Sequence, residues 1–143
     1  MTDYKPKGYP NLIPYLIVKG VPALIEFMQK VLDAEVVERI AMPDGEVMHA
    51  EVRIGDSIVM LGEAGPRSGS ANASLHLYVR DVDATYKAAL KAGAASLSEP
   101  TNQFYGDRSA GVKDASGNTW YLSTHVEDVP YEEIQRRINE QKR

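Results

Sequence analysis

Two short apolar runs, Leu12 to Val18 (LIPYLIV) and Ser74 to Val79 (SLHLYV), open two stretches of chain in which the same order of periodicities follows. Both runs are brief and partly β-branched, the pattern of a buried strand, and Pro14 makes the first an edge or slightly irregular strand. Helical spacing comes next. Leu24, Ile25, Met28, Val31 and Leu32 recur every three or four residues within Pro22 to Leu32, with Pro22 acceptable in a first turn. In the second stretch Asp81 or Asp83 caps a helix carrying Ala84, Ala88 and Leu90, which stops at Gly93. Three strands then complete each stretch. In the first they are about Glu35 to Met42, Val47 to Ile54 and Ser57 to Leu61, divided by turns at Pro43-Asp44-Gly45 and Gly55-Asp56. In the second they are about Ala95 to Pro100, Ser109 to Asp114 and Asn118 to Thr124, with Ser116-Gly117 turning the last pair. Asp128-Val129-Pro130 starts a final amphipathic helix carrying Ile134 and Ile138.

Laying one stretch over the other makes the repeat explicit. Leu16 falls on Leu77, Val18 on Val79, Val21 on Val82, Ala34 on Ala95, Gly45 on Gly106 and Leu61 on Leu122, all at an offset of 61 without gaps. A period near 60 is too long for a solenoid and fits a duplicated half-domain, βαβββ twice over. One apolar face on each helix requires a sheet to cover it. The expectation is a single α+β domain over residues 1–143. Its modules fall at about 8–63 and 72–125, followed by a C-terminal helix at about 129–141. Residues 62–73 (GEAGPRSGSANA) are too few for a long linker, so the two sheets are expected to pack as one body.

Strand alternation sends successive side chains to opposite faces. In Val47 to Ile54 it sets Met48, Ala50, Val52 and Ile54 against His49, Glu51 and Arg53. In the second stretch Ser74, His76 and Tyr78 share a face, as do Thr119, Tyr121, Ser123 and His125; Trp120, on the other side, is expected in the core. The first-stretch counterparts are Ile13, Tyr15 and Ile17, then Ile58, Met60 and Gly62. With helices on one side, the opposite faces line a tyrosine-rich cleft of mixed character, suited to an amphipathic organic ligand. A face open to solvent or against a second subunit shows the same alternation.

Composition narrows the function. Sixteen basic against 20 acidic residues leave a net charge of −4, so the chain as a whole does not attract nucleic acid. The basic run Arg136, Arg137, Lys142 and Arg143 is mixed with Glu132, Glu133 and Glu140 and reads as a solvated helix face. The absence of cysteine excludes disulfides, thiolate nucleophiles and cysteine metal sites, and fits a cytoplasmic location. No window approaches the roughly 18 apolar residues of a membrane span, and the first ten residues lack a secretion signal's apolar core.

Several local motifs in order carry a resemblance: PYLIVKG from Pro14, ALIEF from Ala23, DGEVMHAEVRIGDSIVML from Asp44, LHLYVRDVDA from Leu75, QFYGDR from Gln103 and KDASGNTWYLSTHVED from Lys113. Over about residues 8–130 the chain resembles the vicinal oxygen chelate superfamily, the glyoxalase, bleomycin-resistance and extradiol dioxygenase fold, and within it the PhnB-like branch. The resemblance implies paired βαβββ modules forming a U-shaped mixed sheet around a cleft, commonly in a homodimer. It also implies that metal-using members take ligands from the first and last strand of each module. Those positions hold Ile13, Met60, Ser74 and Tyr121, none a customary ligand for zinc, nickel or iron. No metal or other cofactor is therefore expected. A displaced divalent-metal site would draw on His49, Glu51, His76 and His125.

The candidate ligand-binding residues are Tyr15, His49, Glu51, His76, Tyr78, Gln103, Arg108 and Tyr121, with His49, Glu51 and His76 as the catalytic candidates. His49 and Glu51 lie two apart on one face, so imidazole and carboxylate reach the same ligand; cross-strand pairing is the plain alternative for Glu51 and Arg53. The tyrosines supply contact surface and hydroxyls. By the resemblance, the loop of Gln103 and Arg108 approaches the pocket, and these two residues clamp a polar ligand end, against a surface pairing of Asp107 with Arg108. Asp114 and Gly117 read as turn residues. Ser123 with His125 lacks the strand-to-helix elbow of a hydrolase. The expected function is metal-independent binding of a small or medium organic molecule, by sequestration or antibiotic resistance. The alternatives are a lyase, isomerase or dioxygenase with a displaced metal, and a structural or regulatory homodimer.

Overall fold

Each half of the repeat forms its own four-stranded mixed sheet with one helix against it. The computed structural model describes residues 3–65 and 72–141. Part of the expected connection, residues 66–71, and the basic residues Lys142 and Arg143 lie outside the described residues. The chain divides into two compact units between Ala73 and Ser74.

The first unit holds β1 (Tyr15–Val18), α1 (Val21–Leu32), β2 (Glu35–Ala41), β3 (Val47–Ile54) and β4 (Ser57–Glu63), in sheet order β1-β4-β3-β2. β1 runs parallel to β4 and the other pairs are antiparallel. β1 begins later than expected. Pro14 has no N–H for the ladder, although its carbonyl still accepts from the Met60 N–H at 2.9 Å. α1 packs on β3 and β4, and Leu24, Ile25, Met28 and Leu32 of the helix and Leu16, Ala50, Val52 and Leu61 of the sheet are all buried. Removing these apolar side chains from water is the main driving force for folding.

The second unit holds β5 (Ser74–Tyr78), α2 (Val82–Lys91), β6 (Ala95–Asn102), β7 (Asp107–Lys113), β8 (Thr119–His125) and α3 (Tyr131–Gln141), with sheet order β5-β8-β7-β6. β5 is parallel to β8, and α2 packs across β6, β7 and β8. Asp81 caps α2 by accepting from the Ala84 N–H at 3.1 Å. Trp120 is buried, and its indole N–H donates to Asp114 at 2.8 Å. α3 buries no residue fully; Arg137 joins it to the Phe104 carbonyl at 2.8 Å.

The two halves anchor their helices alike. The last strand residue that faces α1, Glu63, accepts from the Gly20 and Val21 N–H groups at 2.8 and 3.1 Å. Its counterpart Thr124 accepts from the Val82 N–H at 2.9 Å. The ungapped offset needs one correction. Met60 and Tyr121 are 61 apart, but their cross-strand partners Glu51 and Gly111 are 60 apart. The chain between the paired residues is one residue longer in the second unit, Gly111 to Tyr121 against Glu51 to Met60.

A second correction concerns alternation on β3. Met48 is 52% exposed and Val47 is buried, because the register shifts between Ile40 and Ala41 and brings Ala41 opposite Val47. A bulge here exchanges the faces of the first two residues; from His49 onward the alternation holds.

Candidate functional site

The face of the first sheet turned away from α1 is built row by row from the strand register. Tyr15, Met60, Glu51 and Glu38 form one row across β1, β4, β3 and β2; Ile17, Gly62, His49 and Ile40 form the next. Two of these rows' residues are brought together by a residue with no side chain. The Tyr15 ring lies over Gly62 and its hydroxyl stands 3.2 Å from His49 Nδ1. His49 Nε2 is 2.9 Å from Glu51 Oε2, and Tyr9 donates to Glu51 Oε1.

The proton positions follow from the partners. Burial pushes the Glu51 carboxyl upward, but hydrogen bonds from Tyr9 and His49 outweigh it and hold the group below its ordinary value. A carboxylate only accepts, so His49 carries its proton on Nε2 and leaves Nδ1 to accept from Tyr15. The outcome is a chain Tyr15, His49, Glu51, Tyr9 in which only Glu51 is buried, at 6% exposure. The Glu51 charge in turn holds the Tyr9 phenol above its ordinary value, chiefly through their hydrogen bond.

Beside this chain is a cavity of about 470 Å³. Its wall combines the segment containing Tyr4, Lys5 and Tyr9 with Ile13 and Met60, and the carboxylates Glu38 and Glu51. Ile13 and Met60 are the residues at the first module's expected metal positions, so that place is apolar here.

In the second unit the corresponding row is filled differently. Ser123 stands where Gly62 stands, 3.0 Å from His76 Nε2 and 2.7 Å from the Ser109 hydroxyl. Small hydroxyls here span the gap that a tyrosine ring crosses in the first unit. Ser123 thus partners His76, not His125. His76 also meets the Tyr78 ring edge-on at 4.7 Å. Tyr78 donates to Asp107 at 2.9 Å, and His125 lies between Asp107 and Asp128 at 2.8 and 2.6 Å. With a carboxylate at each nitrogen, first Asp107 and then Asp128, the His125 imidazole is held above its ordinary value.

The remaining expected residues sit apart from these chains. Tyr121 is half exposed on β8, directly across from His76. Gln103 closes the β6 to β7 turn through its backbone, its N–H donating to the Asp107 carbonyl at 2.7 Å. Arg108 forms a two-pronged bond to Asp83 at 2.8 and 2.9 Å and reaches Asn102 at 3.2 Å, so its donors face α2 and β6. Neither pairing expected as the plain alternative forms: Asp107 bonds Tyr78 and His125, and Glu51 bonds Tyr9 and His49. Sequence reasoning missed Tyr9, Glu38, Ser109 and the role of Gly62. Tyr9 lies in a segment without periodicity, and the other three become meaningful only once the register is known.

The model of the Glyoxalase/Bleomycin resistance protein/Dioxygenase superfamily matches residues 12–122. The chain belongs to this superfamily. Within it, uncharacterized proteins of Mycobacterium bovis and Mycobacterium tuberculosis are each 35% identical over an alignment 143 positions long, which covers 92% of this chain and 94% and 84% of theirs. Solved structures of the glyoxalase/bleomycin resistance fold superpose well. TioX from Micromonospora sp. ML1 has a TM-score of 0.70 at 22% identity, covering 82% of this chain and 99% of TioX. A family enzyme from Burkholderia phytofirmans PsJN has 0.67 at 18%, covering 80% and 97%. At these identities the likeness shows the fold.

The superfamily includes metal-using members, and the residues present here do not fit a metal at the expected places. Ile13 and Met60 offer no hard donor, and Ser74 and Tyr121 offer only hydroxyls, not the customary imidazole or carboxylate. Among the described residues no group of three or more histidines and carboxylates is placed to hold an ion. No helix among them is long and apolar enough to cross a membrane.

Proposed function

We propose that the first unit binds a small or medium organic molecule in its cavity, by contact and hydrogen bonding and without a metal, and acts by sequestering it. One observation carries this reading: a hollow of about 470 Å³ whose wall joins apolar Ile13 and Met60 to the hydrogen-bonded pair Tyr9 and Glu51. Pockets for organic ligands fall in the range of roughly 300–1,000 Å³ and combine an apolar lining with a few fixed polar groups. Superfamily membership is consistent with such a role. The PhnB-like motifs support a homodimer, and the absence of cysteine supports a cytoplasmic setting; both belong to the same proposal.

Calorimetry with aromatic and glycopeptide antibiotics and common metabolites tests it, alongside Met60→Arg, which places a charged chain in the hollow. A ligand bound by the native chain and lost in this variant is expected. Absence of any ligand, or binding indifferent to Met60→Arg, contradicts the reading.

The Tyr15, His49, Glu51 chain favours a second reading, proton transfer at the Tyr15 hydroxyl. The order phenol, imidazole, carboxylate lets His49 take the phenolic proton while Glu51 stabilises the imidazolium. Exchange of solvent deuterium into a bound ligand, lost in His49→Gln, supports catalysis; no exchange leaves binding as the whole function.

A further inference from the structure

Resting on the reading that this cavity takes organic molecules, we infer that its occupant is an organic cation, an ammonium or guanidinium group on an apolar body. Glu38 on β2 and Glu51 on β3 are direct cross-strand partners and both line the cavity. Like charges directly opposite each other destabilise a sheet, the more so where one of them is 6% exposed. Tyr9 and His49 bond Glu51, whereas Glu38 has no hydrogen-bond or ion-pair partner among the described residues.

The cation nearest to hand does not close this gap. Lys5 lines the same cavity, but its ammonium donates to the Tyr9 carbonyl at 2.8 Å and makes no ion pair with either glutamate. Arg53, on the same face as Glu51, lies outside the wall and likewise makes no ion pair among the described residues. The lining therefore keeps one negative charge in excess, two carboxylates against one ammonium.

The rest of the wall is mostly aromatic and apolar. Tyr4 and Tyr9 supply aromatic rings, whose faces attract cations, and Ile13 and Met60 supply apolar surface for a ligand body. Tyrosine rings with carboxylates attract an organic cation. An organic anion meets Glu38 and Glu51 with repulsion, and a neutral molecule of the same shape gains only the contact. Choline and its neutral isostere 3,3-dimethylbutan-1-ol differ in charge and hardly in shape, so they isolate this effect.

The test is a nuclear magnetic resonance titration of the full chain with each compound, on the native protein and on Glu38→Gln, which alters an exposed side chain. Choline is expected to shift signals of Tyr4, Tyr9 and Met60, with the isostere about tenfold weaker and the variant several-fold weaker for choline alone. Equal binding of the isostere, or choline binding unchanged in Glu38→Gln, overturns the cation assignment. If neutral compounds shift these signals and choline does not, the cation assignment fails while the organic-ligand reading stands. If no compound of either kind shifts them and the calorimetric screen is also empty, both fall.

Discussion

Gly62 is where the first unit's polar chain is decided. A Cβ at this position would stand 2.9 Å from the Tyr15 hydroxyl and 3.0 Å from the ring carbon beside it. Gly62→Ala is therefore expected to lift Tyr15 off His49 at a cost of about 1–3 kcal/mol, seen by urea unfolding. The His49 Nδ1 nitrogen signal should move toward that of an unbonded imidazole; an unchanged signal contradicts the geometry. Two titrations follow from other single residues. Glu51 titrates below its ordinary value of 4.5 in the folded chain, so the unfolded chain binds the proton more tightly. Its contribution to stability is present above about 4.5 and lost as pH falls through the folded value. Glu51→Gln should flatten the acid limb of Tm against pH, and a parallel limb would count against this assignment. His125 has the opposite sign. Its folded value is raised above 6.5, so its contribution is complete below 6.5 and disappears as pH rises through the folded value. Native and His125→Gln chains should differ in Tm most below 6.5 and converge in alkali.

At the scale of elements, the turn after β7 depends on one carboxylate. Asp114 is buried and accepts from Ser116 N–H at 2.9 Å, Asn118 N–H at 3.0 Å and the Trp120 indole at 2.8 Å. Asp114→Asn turns one acceptor into a donor among donors, and a loss of about 2–4 kcal/mol in denaturant unfolding is expected. A smaller turn is fixed by Gly106, at φ 106°, where a Cβ would come within 2.2 Å of the Glu127 carbonyl. Element order was legible because alternation and helical spacing are local: all eight strands and three helices of the described residues stand near their expected places. Element ends were less so. Pro14 removes a ladder donor and shortens β1, and the bulge opposite Ala41 exposes Met48, neither of which periodicity can register.

For the molecule as a whole, the duplicated fold was readable from the offset repeat, whereas the site was readable only in part. His49 and Glu51 were marked by their spacing, and Tyr15 by its strand face. Their linkage needed the register that puts Gly62 between them and a Tyr9 brought in from a segment with no periodic signal. Arg108 was marked by its functional groups, and its bond to Asp83 in α2's first turn could not be read from spacing. The same duplication left the halves unequal, with a tyrosine crossing a glycine in one and two serines with a histidine in the other. Whether the first unit's cavity holds an organic molecule is read from methyl-resolved spectra recorded with the tightest compound from calorimetry. Shifts at the Met60 and Ile13 methyls that saturate with the calorimetric affinity are expected; shifts confined to methyls of the second unit rule out binding in this cavity.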